Sequence, residues 1–226
     1  MNVKILEQLE LIFQTSPQLL RNSFKLQQTI QGTFNVWVDD VSFNNLGDLV
    51  ERIDDKVLEK YFSEIWQSET KKYKYSGLSL VDEINNLKPE AVLDAGCGFN
   101  EFKGKIHNLI GIDPYNDKAD IKVKIADYTP DRLFDAIICL GSVNFGSTDK
   151  IFTELECIVN LAAANSKMYF RVNPGIAQPQ PESNWIVFYP WTPNFIINSA
   201  DYLGVDIIEL RKDYKDRMYF VWSKNK

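Results

Sequence analysis

Two acidic residues and two glycines in the middle of the chain could bind a polar ligand together. The apolar run Ala91–Leu93 leads into Asp94, and Gly96 and Gly98 follow at once. Glycine lets a backbone turn tightly and approach a ligand closely, and a carboxylate accepts hydrogen bonds from ligand donors. A second apolar run ends at Asp113, 19 residues after Asp94. A carboxylate at that place could accept both hydroxyls of a ribose.

The glycine turn has to be compared with the dinucleotide-binding fingerprint G-x-G-x-x-G. The segment here reads GCGFNE, so Glu101 stands where the third glycine is required. An acidic residue just before the first glycine also suits a pyrophosphate badly, because like charges repel. The order strand, Asp, glycine turn, strand, Asp therefore disfavours NAD.

The elements around this turn alternate between strands and helices. Helices are predicted at Leu80–Leu87, Asp149–Ala163 and Asn194–Leu203. The predicted strands are Ala91–Asp94, Leu109–Ile112, Ile121–Ile125, Ala136–Leu140, Lys167–Val172, Val205–Leu210 and Met218–Trp222. Such alternation indicates a parallel sheet with helices on both faces. Only the short turn Lys212–Asp216 joins the last two strands, which therefore pair antiparallel. The sequence predicts an α/β fold with a mostly parallel, doubly wound sheet that ends in an antiparallel hairpin.

The first part of the chain is mainly helical by its pattern. Apolar residues at helical spacing begin at Ile5. Pro17, directly after Ser16, predicts the start of a second helix. The segment Thr33–Val41 reads as extended, and Asn45 can cap a long amphipathic helix.

The domain organisation follows from this change of pattern. The N-terminal segment of about 70 residues has few apolar helix faces and is too short to bury a full hydrophobic core alone. No Gly/Pro-rich linker separates this segment from Tyr75. We expect residues 1–72 to form a helical N-terminal extension or lid over the substrate side. Residues 73–226 would form the ligand-binding domain.

Composition excludes several classes of protein. The chain has 226 residues, of which 45% are hydrophobic and 25% charged, as in globular proteins. No apolar run approaches the ~20 residues of a membrane span, and the N-terminus does not resemble a signal peptide. The three cysteines are odd in number and lack metal-ligand spacing. We expect a soluble, cytoplasmic protein with no metal site.

The charge distribution indicates which class of partner the protein binds. The net charge is −6, and residues 1–88 (10 basic, 13 acidic) and residues 89–226 (15 basic, 18 acidic) each carry −3. Nucleic-acid binding needs clustered Lys and Arg. The sequence therefore argues against a nucleic-acid partner, and we expect a small-molecule partner. The sequence carries no signal for an oligomeric state.

Four ordered motifs resemble those of a known family. They are VLDAGCG at 92–98, GIDP at 111–114, AD at 126–127 and FDAIICLGSV at 134–143. Together they look like the motif set of class I S-adenosylmethionine-dependent methyltransferases, in a small, compact, type-11-like form. The resemblance covers roughly residues 73–223 and concerns fold and cofactor, not the methyl acceptor.

The resemblance implies S-adenosylmethionine as the cofactor and a set of residues around it. Asp94 would anchor the cofactor's amino group, and Gly96 and Gly98 would leave room for its methionine and ribose. Asp113 would hold the ribose hydroxyls, and Asp127 would accept from the adenine amino group. The other residues implied to line the cofactor are Tyr75, Pro114, Tyr128, Leu140 and Gly141.

Several of these residues have a structural alternative. Asp127 precedes a turn, where an Asp often only caps the backbone. Asn144 stands where relatives present substrate-facing residues. Trp191 belongs to an aromatic loop that could wall a substrate pocket or pack against the N-terminal helices, and both interpretations stay open. His107, the one histidine, is expected on the surface.

The chain departs from the family pattern at two points. Asn100 replaces the usual third glycine, although Asn tolerates left-handed backbone angles better than most residues. The connection from Asn100 to Leu109 leaves room for about one helical turn. The expected function is methyl transfer from S-adenosylmethionine to an unidentified small molecule. The alternative, which these departures motivate, is a binding or assembly protein that keeps the fold without catalysis.

Overall fold

The computed structural model describes residues 1–38, 46–176 and 178–225. The chain divides into two compact units. The first unit contains Met1–Trp66 and Ala177–Val187, and the second contains Gln67–Ile176 and Phe188–Lys226. Residues 67–72, which the sequence assigned to the N-terminal extension, therefore lie in the second unit. That the extension covers the substrate side stays a prediction.

The first unit is helical. Its α-helices are α1 (Val3–Thr15), α2 (Ser23–Phe34) and α3 (Leu46–Lys60), with a 3₁₀ helix at Pro17–Arg21 and a π-helical turn at Tyr61–Ile65. The side-chain amide of Asn2 donates hydrogen bonds to Asp54 in α3 at 2.8 Å and to the Trp185 carbonyl at 2.6 Å. The Trp185 ring meets Phe34 edge-on, with centroids 4.8 Å apart.

The start of the second helix was predicted too early. Pro17 begins only the short 3₁₀ helix, and the Ser16 side chain makes no capping hydrogen bond. Asn22 accepts from the Lys25 N–H and caps α2, because its side chain satisfies a donor of the first turn. The predicted extended segment at Thr33–Val41 is helical up to Phe34. Its residues 39–41, like the predicted cap Asn45, lie outside the described residues.

The second unit contains the sheet. Among the described residues its strands are β1 (Val92–Ala95), β2 (Leu109–Ile112), β3 (Phe134–Cys139), β4 (Ala162–Val172), β5 (Asp206–Lys212) and β6 (Met218–Lys224). They form one six-stranded sheet in the order β2-β1-β3-β4-β6-β5. The first four pair in parallel, and β6 runs antiparallel to both β4 and β5. The predicted fold, with its terminal hairpin, is confirmed.

Helices cover both faces of this sheet. They are α4 (Leu80–Asn86), α5 (Thr148–Leu161) and α6 (Pro193–Leu203). Alternate residues of each strand point to opposite faces, so Leu93 packs in the core with α5 and α6, whereas Val92 packs with α4. Asp94 follows the same alternation and falls on the Val92 face. Within the described part of the chain, no helix has the length and apolar character to cross a membrane.

The prediction of a strand at Ile121–Ile125 was wrong. Only Ile121 pairs there, in a single parallel bridge to Ile112. The residues between the two, 113–120, are fewer than the dozen or so that a parallel crossover requires. The Asp120 carboxylate accepts the Gly111 N–H at 2.8 Å and draws the chain back beside β2 for that one bridge. The alternating pattern of DIKVKI had suggested an edge strand.

A polar network fastens the 67–79 segment to the ends of β4 and β5. The Arg171 guanidinium lies 3.7 Å from the centre of the Tyr73 ring, and its Nη2 donates to the Tyr214 carbonyl. Its Nε lies 3.4 Å from the Asp213 carboxylate, an ion pair rather than a hydrogen bond. Asp213 also accepts the Ser76 hydroxyl at 2.5 Å. Both charged side chains are almost fully buried.

Arg171→Ala is expected to lower the free energy of unfolding by about 3–5 kcal/mol, because it leaves a buried carboxylate without its cation. Urea denaturation measures the change. The matched control is Arg132→Ala, whose exposed guanidinium contacts only the Glu90 carbonyl. Equal losses of stability in the two variants would contradict a role of the buried pair.

Candidate cofactor site at the carboxyl end of the sheet

The glycine turn after β1 is built by backbone angles and close contacts. Gly96 and Gly98 have φ of 77° and 52°, in the region that side chains disfavour. The N–H groups of Gly96 and Cys97 both donate to the Ile112 carbonyl, which ties the turn to the end of β2. A Cβ at Gly96 would collide with the side chain of Ser142. Any larger residue at Gly96 would therefore displace the turn or the loop after β3.

Asp94 is the electrostatic centre of the site. Its side chain is buried, with 4% of the residue exposed. Among the residues that the structure describes, no donor pairs with its carboxylate. Burial, together with the negative charges of Asp113 and Glu101, raises the pKa of Asp94 to about 8. An unpaired acid in such a place either keeps its proton or meets a cation.

Asp113 is held rigidly by the backbone. Its Oδ2 accepts the Gly98 N–H at 3.0 Å, and its Oδ1 accepts the N–H groups of Tyr115 at 2.8 Å and Asn116 at 2.9 Å. A carboxylate offers about four acceptor positions, so one position on Oδ2 remains. That oxygen can take one ribose hydroxyl directly. For Asp113 to accept both ribose hydroxyls, as expected from the sequence, the two hydroxyls would have to share this one position in a three-centre hydrogen bond.

Asn100 adopts the conformation that a glycine would have at its position. Its φ is 54°, and its side-chain amide donates to the Lys118 carbonyl at 2.9 Å. The side chain lies close to Gly111, where a Cβ would stand 2.7 Å from the Asn100 Oδ1. The turn thus keeps its left-handed residue without a third glycine. This removes one of the two reasons for the non-catalytic alternative.

Glu101 was not predicted as a site residue. Its Oε2 accepts the Ser68 hydroxyl at 2.5 Å and also the Thr70 hydroxyl. These contacts join the 67–79 segment to the glycine turn. The partners stand more than thirty residues earlier in the chain, so no local pattern marks the contact. The one local signal was Glu101 itself, an acid where a dinucleotide site needs glycine.

The loop after β3 lies against the glycine turn. Leu140 is half-buried beside the core on the Val92 face, and Gly141 has φ of 114°. Ser142 contacts Gly96. Leu140 and Gly141 therefore lie at the same edge of the sheet as Asp94, because β1 and β3 are parallel neighbours.

Four other residues were predicted to line the cofactor, and two of them, Tyr75 and Tyr128, lie away from the glycine turn. Tyr128 packs against Phe134 at the beginning of β3, with ring centroids 6.3 Å apart, and so lies toward the opposite end of that strand. Tyr75 lies under the Arg211 guanidinium, at 4.2 Å, beside β5 and hence at the far edge of the sheet from β2. Asp127 ends a 3₁₀ turn and is exposed. Pro114 follows Asp113 and is half-buried.

The two residues suggested for substrate binding have internal partners. Asn144 is 1% exposed, and its Oδ1 accepts the Asn173 N–H at 2.7 Å. Trp191 is 2% exposed, lies in the core of the sheet and donates its indole N–H to the Val143 carbonyl at 3.0 Å. This placement favours packing over a pocket wall for both residues.

Neither His107 nor Cys97 supplies catalytic chemistry at this turn. His107 is exposed, and its backbone N–H donates to Asn85. Burial, with the charges of Asp94, Asp113 and Asp120, raises the pKa of the Cys97 thiol far above its ordinary value. A thiol that stays protonated is a poor nucleophile.

Solved structures share this architecture. The chain superposes on the 1,6-didemethyltoxoflavin-N1-methyltransferase of Burkholderia thailandensis with a TM-score of 0.59 at 12% identity, over 84% of this chain and 95% of that one. The magnesium protoporphyrin IX methyltransferase of Synechocystis gives 0.51 at 12% identity, over 93% and 98%. The N-methyltransferase NodS of Bradyrhizobium japonicum gives 0.51 at 12%, over 66% and 94%. No family model and no curated protein matches the sequence.

The chain has the class I methyltransferase fold. The first two of these structures contain bound S-adenosylhomocysteine. At such low identity the likeness extends to the fold, and not to individual residues. The residues that could hold a ligand in this chain are therefore argued from its own geometry.

Asp94→Asn is expected to stabilise the ligand-free protein above neutral pH. The wild-type folded state keeps a proton on Asp94 that the unfolded state loses, so its stability falls as the pH rises from about 4 to about 8. The neutral amide escapes that penalty and should gain about 2–4 kcal/mol at about pH 8.5, with a much smaller gain at about pH 5. Thermal unfolding at both pH values measures it.

The control for this substitution is Asp127→Asn, which removes an exposed carboxylate from the same unit. It should leave stability unchanged at both pH values. A loss of stability in Asp94→Asn at high pH would show that the carboxylate has a cationic partner already.

Proposed function

We propose that the protein binds S-adenosylmethionine and transfers its methyl group to a small-molecule acceptor. One observation carries the proposal: the buried Asp94 carboxylate, at the carboxyl end of β1 in a class I methyltransferase fold, has no partner among the described residues. Open α/β sheets bind ligands at this edge. The ammonium group of the cofactor is the kind of cation that such a carboxylate needs.

The neighbouring groups fit the rest of the cofactor. Asp113 offers a free acceptor position for a ribose hydroxyl, and Gly96 and Gly98 place backbone rather than side chains beside it. Pro114 and Leu140 supply apolar surface for the adenine ring. Within the proposed site we also keep Gly141 and Asp127, the latter as an exposed acceptor for the adenine amino group. The contacts of Tyr75 and Tyr128 give no support for including them.

The protein's part in the reaction is mainly positioning. The bound cofactor supplies a methyl group on a sulfonium, whose leaving group is neutral. Asp94 would hold the ammonium group of the ligand and Asp113 its ribose. The glycine turn would determine how deeply the ligand enters the site. Holding reactants in line can contribute ~7–11 kcal/mol to lowering the barrier. A general base is needed only if the acceptor arrives protonated, so the chain does not require a histidine at this edge.

Two observations support a small acceptor. The net charge of −6 is divided evenly between the two parts of the sequence, which argues against the clustered Lys and Arg that polynucleotides need. The Burkholderia thailandensis structure contains 1,6-didemethyltoxoflavin beside S-adenosylhomocysteine. That ligand is a small heterocycle, and we infer an acceptor of comparable size for this chain.

Asp113→Ala is expected to weaken S-adenosylhomocysteine binding roughly 10- to 100-fold, since a hydrogen bond to a charged acceptor contributes about 1.5–3 kcal/mol. Calorimetry measures the dissociation constants. His107→Ala serves as the control and should bind like the wild type, because its side chain is exposed and it precedes β2, at the opposite end of that strand from Asp113. Wild-type affinity in Asp113→Ala would place the cofactor elsewhere. Absence of binding in the wild type would favour the non-catalytic alternative.

A further inference from the structure

Three carboxyl groups meet at the glycine turn without a neutralising cation. Glu101 and Asp113 are the charged groups that act on Asp94, and the thiols of Cys97 and Cys139 are its other titratable neighbours. Among the described residues, no lysine or arginine forms an ion pair with any of the three carboxylates.

The nearest lysines are engaged with other oxygens. Lys105 donates to the backbone carbonyl of Glu101, not to its carboxylate. Lys103 pairs with Asp120 at 2.7 Å. No cation among the described residues therefore neutralises the acidic cluster, and the buried, unpartnered Asp94 is the member that has to respond to its neighbours.

The two neighbours hold their charges in fixed positions. Asp113 accepts three backbone N–H groups, which stabilise a carboxylate. Glu101 accepts the hydroxyls of Ser68 and Thr70, which fix its Oε2 beside the turn. With both negative charges fixed, a third carboxylate at Asp94 is the costly one, because Asp94 is the most deeply buried and has no donor.

We propose that binding of the cofactor's ammonium group releases a proton from the buried Asp94, and that the charge of Glu101 strengthens this coupling. This inference rests on the proposed function. In the empty site Asp94 carries a proton; when the ligand's ammonium group arrives, that proton leaves to solvent and the carboxylate pairs with the ammonium. One O–H bond is lost, one ion pair forms, and the charge of the site and ligand together falls by one. Glu101 acts as a positioning residue whose charge adds to the effects of burial and of Asp113 on this coupling.

The coupling has a definite sign. Burial and the neighbouring acids raise the pKa of Asp94 to about 8. Below that pH each binding event releases close to one proton, so affinity should rise about tenfold per pH unit and then level off near pH 8. Between about pH 6 and about pH 7 the ligand's own amine stays protonated. A change in affinity within this pH range therefore reports the proton on Asp94 and not one on the ligand.

The test is calorimetry of S-adenosylhomocysteine binding at about pH 6 and about pH 7, in phosphate and in imidazole buffer. The difference in enthalpy between buffers counts the protons released. The wild type should release about one proton and bind about tenfold tighter at the higher pH. 5′-Methylthioadenosine, which lacks the ammonium group, should bind without proton release and with an unchanged dissociation constant. Asp94→Asn should release none with either ligand.

The decisive variant is Glu101→Gln, which keeps an acceptor for Ser68 and Thr70 but removes the charge. Removing that charge lowers the pKa of Asp94, so the variant should release measurably less than the wild type's one proton at about pH 7. Glu156→Gln, on the exposed face of α5, is the matched control and should behave like the wild type.

Each outcome separates the inference from the proposed function. Tight binding without proton release in the wild type would overturn the coupling and leave cofactor binding intact. Equal proton release in Glu101→Gln and the wild type would overturn the role of Glu101. Failure of the wild type to bind S-adenosylhomocysteine would overturn both.

Discussion

Burial of the Asp94 carboxylate beside two other acids is the constraint around which the site is organised. A carboxylate with no donor costs several kcal/mol when ionised inside a protein. The surroundings do not relieve that cost: the glycine turn presents its N–H groups to Ile112 and Asp113 rather than to Asp94. Such an arrangement is stable when Asp94 is protonated or when a cation joins it. It is the chemical reason for proposing a ligand with an ammonium group.

The rest of the second unit holds this arrangement in place from two sides. Glu101 binds the hydroxyls of Ser68 and Thr70 at one end of the 67–79 segment. At the other end Arg171 and Asp213 fix Tyr73 and Ser76 near the terminal hairpin. The segment is thus tied both to the glycine turn and to the strands β4 and β5.

The sequence predicted what depends on neighbours close in the chain. The strand before Asp94, the glycine turn and the strand before Asp113 follow from local pattern, and the terminal hairpin follows from a short connection. The prediction of a strand at Ile121–Ile125 was wrong because parallel pairing with β2 would need a longer crossover than residues 113–120 provide. The alternating pattern of apolar residues does not reveal the length of that connection. Glu101 was missed because its partners come from a distant segment.

The sequence pattern also did not reveal which aromatic side chains pack in the core and which line a pocket. Whether a ring such as that of Trp191 fills the core or walls a pocket depends on tertiary packing, and here it fills the core. Tyr75 and Tyr128 follow the family's order in the sequence, yet their rings contact Arg211 and Phe134. Motif order indicates which strand a residue follows but not the direction of its side chain.

The central claim is that Asp94 holds the ammonium group of the cofactor. A crystal structure of the protein with S-adenosylhomocysteine tests it most directly. The account predicts the ligand at the carboxyl end of β1, with its ammonium nitrogen about 3 Å from an Asp94 oxygen. A bound ligand whose ammonium group contacts other residues, with Asp94 still unpaired, would contradict it.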